Sequence, residues 1–194
     1  MEAGGVEFFR AARGAWHTGG GNGGGAVKGY QLWVSLRAEQ EAMAPDSFYL
    51  TASQVPVVGP ARLVLGEYDT VKSTIPSMTG MNYLDVQMKT GEKWIYKTPT
   101  GHTVGFIAVN SGDVSIGGET IKAGELAVFN ESDDDIEFET ANTGVTRFVL
   151  GTAVKHPHDL HMGSYSVHTS RAALAAGEAE IIRIKKDMQS KNML

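Results

Sequence analysis

Six histidines are the side chains best suited to chemistry in this sequence, and four of them, His156, His158, His161 and His168, crowd into "KHPHDLHMGSYSVH". Side chains alternate along an extended strand, so His156 and His158 would share a face, where two imidazoles can take one metal ion with His161 close by. Asp159 is the only adjacent carboxylate, and surface hydrogen bonding is the commoner fate of such a cluster. His17 stands just ahead of a run in which six of seven residues are glycine. His102 follows a turn in "PTGHTVGF" and enters an apolar strand, the position of a hydrogen-bonded structural histidine. Cysteine is absent, so disulfides, thiolate ligands and cysteine nucleophiles are excluded, and any catalysis falls to histidines, carboxylates and hydroxyls.

Other motifs fail on context. Gly19, Gly21 and Gly24 satisfy the spacing of a dinucleotide-binding loop, but that loop must follow a strand and open a helix, whereas "KGYQLWVSL" leads into a strand. The nearest lysine, Lys28, follows a valine, so the run is no phosphate-binding P-loop either. The acidic "ESDDD", Glu131 to Asp135, lacks the glycine and spacing of a calcium loop and reads as a solvated turn. No G-x-S-x-G elbow is present.

The elements that must position these residues are mostly strands. "YQLWVSL" (30–36), "ARLVLGEY" (61–68), "YLDVQM" (83–88), "KWIY" (93–96), "VGFIAV" (104–109), "DVSI" (113–116), "ETI" (119–121), "ELAVF" (125–129), "IEFE" (136–139) and "RFVLG" (147–151) are short β-like runs between turn signals. Gly117 and Gly118 supply the positive φ angles of a two-residue hairpin. Residues 83–151 therefore predict one antiparallel barrel of about eight short strands. Residues 37–60 carry three prolines and little periodicity, which predicts an ordered connection. "SRAALAAGEAEIIRIKKDMQ" (170–189) is helical in composition, with Ser170 as its N-cap, and Gly177 predicts two short helices or one bent one.

A net charge of −5 opposes charge-driven binding of nucleic acid, and the lone basic cluster, Arg183 to Lys186, is diluted by Glu178, Glu180 and Asp187 into a solvated helix face. The N-terminus has no signal-peptide pattern and no stretch approaches membrane-spanning length, so the expected address is the cytoplasm.

Taken in order, "AGGVEFFRAARGAWHTG" (3–19), "KGYQLWVSL" (28–36), "LGEY" (65–68), "MNYLDVQMKTGEKWIYKTPTGHTVGFIAVNSGDVSI" (81–116), "GELAVF" and "RFVLG" resemble the pirin family of double-cupin proteins. "YSVHTSRAALAAGEAEI" is similar to the tail of its bacterial branch. The resemblance implies an all-β fold: a remnant of the N-terminal cupin (1–45), a linker (46–60), a complete C-terminal cupin or jelly-roll barrel (61–155) and a tail with a helix (156–194). In intact pirins it implies iron or another divalent metal, held in the first barrel by three histidines and a glutamate. The H-x-H element that supplies two of them has no counterpart here. His17 matches the third histidine, but Gly19 stands where the glutamate would be, which leaves His17 as an orphaned ligand position. No catalytic residue and no cofactor is expected in this chain, and His156, His158 and His161 form the alternative metal cluster.

Two functions compete on this reading. The favoured one is a metal-free, non-catalytic binding or scaffold protein with a small aromatic ligand. The alternative is a metal-dependent, quercetin-type dioxygenase whose missing ligands come from upstream residues or a second subunit. A shortened first barrel also predicts an open edge at its strands, and hence a homo-oligomer, a two-fold dimer formed through the N-terminal segments.

Overall fold

In "MNYLDVQM" Asn82, Leu84, Val86 and Met88 are buried while Tyr83, Asp85 and Gln87 between them are more open, the period-two burial of a strand with one face on a core. The same rule sets most of the chain. The computed structural model describes residues 2–17, 26, 28–141 and 144–192. In chain order the strands are β1 (Val6–Arg10), β2 (Asp46–Leu50), β3 (Val57–Val58), β4 (Ala61–Leu65), β5 (Glu67–Tyr68), β6 (Val71–Lys72), β7 (Met81–Met88), β8 (Lys93–Tyr96), β9 (His102–Ser111) and β10 (Val114–Ile116). They continue with β11 (Glu119–Ile121), β12 (Leu126–Val128), β13 (Ile136–Thr140), β14 (Thr146–Val154), β15 (His161–Met162) and β16 (Val167–His168), and one helix, α1 (Arg171–Ser190), follows. They fall into two units: Glu2–Val6 with Leu50–Lys155, and Glu7–Tyr49 with His156–Leu194.

The first unit is an antiparallel two-sheet barrel. A six-stranded sheet runs β12-β9-β14-β7-β4-β3 and a four-stranded sheet runs β11-β10-β13-β8. Leu63, Leu84, Ile107, Phe148 and Leu150 from the larger sheet meet Tyr96, Val114 and Phe138 from the smaller in one core. Each such side chain contributes about 1.5–3 kcal/mol by leaving water, so the interior of this barrel is the chief source of its stability. The Gly117–Gly118 hairpin forms as its sequence requires: both residues have positive φ, and Ile116 pairs with Glu119. The 37–60 stretch holds more order than its prolines suggest, with β2, β3 and two short 3-10 turns at Ala38–Gln40 and Ala52–Gln54.

The second unit contains the paired strands β1 and β2, the hairpin β15–β16 and α1. Two expectations are corrected here. Residues 30–36 form no strand: Trp33 is 74% exposed, and alternation of apolar residues yields a strand only when another strand supplies the hydrogen-bonding partner. The helix is one continuous element rather than two, capped by the Ser170 side chain, which accepts from the Ala173 amide. Gly177 does not break it, because the glycine serves packing: a Cβ there would lie 2.4 Å from His168 Nε2. Trp16 secures the next turns by donating its indole N–H to the Ile181 carbonyl at 3.0 Å, with Lys185 Nζ 5.5 Å over its ring. Among the described residues no helix is long and apolar enough to cross a membrane.

Candidate functional site

The inward positions of β7, β8, β9 and β14 carry a file of polar groups through the first unit's core. Asn82 Nδ2 donates to the Tyr96 hydroxyl at 3.1 Å, Tyr96 and Thr152 share a hydrogen bond of 2.8 Å, and Thr152 Oγ1 lies 3.0 Å from His102 Nδ1. One direction uses every hydrogen: Tyr96 donates to Thr152, Thr152 donates to His102 Nδ1, and the imidazole keeps its proton on Nε2. Asn82 closes the other end by donating to the Glu67 carbonyl and accepting from the Glu67 amide. Gly66, at φ 93°, lets this happen, since a Cβ there would sit 2.2 Å from Asn82 Oδ1. Burial pushes the His102 pKa below its ordinary value and the Tyr96 pKa above it, the latter opposed by its bonds to Thr152 and Asn82. The ring is therefore neutral and hydrogen-bonded, as its place ahead of an apolar strand suggested.

An open cleft of about 640 Å³ lies beside the outer end of this file. Trp94 and Tyr68 form its aromatic wall, and Glu67, Asp69, Lys97 and Gly59 are at its rim. Tyr68 stacks on Tyr96 with ring centroids 4.6 Å apart and meets Trp94 edge-on at 6.3 Å, so the wall is braced by the core. Its hydroxyl accepts from the Lys97 amide at 3.0 Å. Burial is the main cause of a raised Tyr68 pKa, and the negative charges of Asp69 and Asp135 raise it further. Lys97 and Asp135 form an ion pair at 2.6 Å, which holds one end of the acidic 131–135 turn against the cleft; the turn itself is exposed, as expected.

The histidines proposed from sequence as ligands belong to the second unit. His17 Nδ1 lies 3.8 Å from Glu7 Oε1, and its ring packs on Phe9. Gly19, Gly21 and Gly24 lie outside the described residues. His156 Nε2 donates to the Leu36 carbonyl at 3.0 Å while its Nδ1 accepts from the His158 amide at 3.3 Å, so neither nitrogen keeps a free lone pair. His161 pairs across its hairpin with His168. Among the described residues no three His, Asp or Glu side chains are grouped closely enough to hold an ion, and neither histidine set fits the metal that intact pirins are expected to hold.

The polar cluster that sequence reasoning missed in this unit is His168 with Glu41. Both are buried, with Nδ1 to Oε1 at 3.4 Å, and Glu41 accepts from the Thr169 amide and hydroxyl at 2.6 and 3.0 Å. In the barrel, Tyr68, Trp94, Asn82 and Thr152 were also missed. Asn82 had a legible signal, a polar residue at an inward position of an otherwise apolar strand.

No protein-family model matches the chain. Human pirin is 28% identical over 180 residues, covering 88% of this chain and 61% of its own. The chain is thus similar in sequence to the pirins over most of its length. A Pseudomonas aeruginosa protein that carries a provisional quercetin 2,3-dioxygenase name is 27% identical over 133 residues, 66% of this chain and 46% of its own. Among solved structures, the quercetin 2,3-dioxygenase of Acinetobacter baumannii superposes with a TM-score of 0.68 at 19% identity, over 79% of this chain and 55% of its own. The chain thus has a cupin fold, and it spans roughly half to three fifths of the length of the curated relatives it matches, at 46% and 61%.

Proposed function

We propose that this chain is a pirin-like cupin that binds a small aromatic molecule without catalysis or a resident metal, acting as a binding or scaffold protein with a cytoplasmic address. One observation carries the reading: the inward positions of the barrel are filled by stacked rings and by the hydrogen-bonded file from Asn82 to His102, while aromatic surface is offered at the wall of the cleft. The His17 environment supports it, since among the described residues a single carboxylate at 3.8 Å and a phenyl ring do not make a coordination shell.

The names of two relatives favour a second reading, a metal-dependent dioxygenase completed by ligands from outside this chain. Elemental analysis after incubation with Fe(II) or Ni(II), combined with the loss of quercetin absorbance under air, separates the two. The first reading expects far less than one ion per chain and no turnover. Stoichiometric metal that disappears in His17→Ala, or turnover that follows metal content, overturns it.

A further inference from the structure

The charges around the cleft do not cancel. Glu67 is paired with Lys72 at 2.8 Å and Lys97 with Asp135 at 2.6 Å, whereas Asp69 has no cation partner among the described residues. Asp69 occupies the turn between β5 and β6, where Tyr68 pairs with Val71, and its φ of 54° is the left-handed conformation such a turn demands. The turn fixes its carboxylate at the rim of a cleft whose wall is Trp94 and Tyr68. A carboxylate left without a cation beside electron-rich rings is the pattern that receives an organic cation, since ring face and carboxylate both attract positive charge. The uncompensated negative field also reaches the wall itself, where Asp69 acts on the Tyr68 hydroxyl.

We infer that the cleft selects small aromatic amines in their protonated form, with the flat body against Trp94 and the ammonium group directed to Asp69. This rests on the reading of the cleft as an aromatic-ligand site and adds charge as the discriminating feature. A neutral aromatic of the same shape loses the carboxylate interaction, and an aromatic carboxylate is repelled.

The test uses benzylamine and benzyl alcohol, which have similar shape and differ in charge at neutral pH. Each is titrated into the full chain while the Trp94 indole N–H resonance, assigned by its loss in Trp94→Phe, is followed by NMR. The expected result is saturable movement of that resonance by benzylamine, with an affinity roughly 5-fold above benzyl alcohol, and loss of that difference in Asp69→Asn. Asparagine tolerates the same left-handed turn, so the variant should keep a wild-type spectrum elsewhere. Equal affinities in the wild type overturn the charge selection and leave the aromatic-ligand reading standing. A benzylamine advantage that survives in Asp69→Asn overturns the role given to Asp69. Absence of saturable shifts with either compound overturns both the inference and the cleft as a ligand site.

Discussion

His102 and Asp69 show how one type of group, an ionisable side chain, is used in opposite ways within one barrel. Buried on Thr152, His102 is held neutral because the core disfavours its charged form, whereas Asp69 is exposed to water at the rim. A pH dependence of stability follows for the histidine. Its folded-state pKa lies below its ordinary value, so as pH falls the unfolded chain takes up the proton first. Its contribution is complete above the ordinary imidazole range and is lost as pH drops towards the depressed folded value. Urea midpoints measured at pH 7.5 and 5.5 should therefore fall by less in His102→Asn than in the wild type. An equal fall in the two proteins would place the sensitivity at another group. At this scale the sequence was readable where a residue is judged against its immediate neighbours, as with His102. It was silent where the partner lies elsewhere in the chain, as with Glu41 and His168.

Among the elements, α1 shows why a rule about single residues can mislead. Glycine lowers helix propensity by about 1 kcal/mol relative to alanine, and that cost predicted a break or a bend at Gly177. The helix continues because the missing side chain makes room for the His168 ring, which a Cβ would approach to 2.4 Å. Gly177→Ala should consequently destabilise α1 by about 1–3 kcal/mol, despite alanine's better propensity, by overpacking a filled site. Adding His168→Ala should return much of that loss, and hydrogen exchange of the α1 amides provides the readout. Additive losses in the double variant would show that the ring is not the obstacle. The strands were legible because burial of one face enforces a period of two, and β7 and β13 carry it plainly. The exception is 30–36, where the pattern is present and the partner strand is not found among the described residues. The cleft was illegible for a different reason: the β5–β6 hairpin and β8 meet there through the sheet arrangement, and no local spacing records that meeting.

For the whole molecule, the exposed alternating segment bears on assembly. Tyr30 and Val34 are 48% and 41% exposed beside the more open Trp33, an amount of apolar surface that strand pairing with a second copy would cover. Sedimentation velocity across a hundredfold concentration range should show a monomer–dimer equilibrium, shifted towards monomer by Trp33→Ser. A wild-type protein that remains monomeric throughout would remove the two-fold dimer expected from the N-terminal segments. In the file from Asn82 to His102 the hydroxyls of Tyr96 and Thr152 face the same way, so turning one around obliges the other to turn with it. A visiting molecule that sought to borrow one of those protons would have to undo the scaffold that holds the two sheets in place. On the proposed reading the centre serves as that scaffold, and discrimination between molecules is left to the lip.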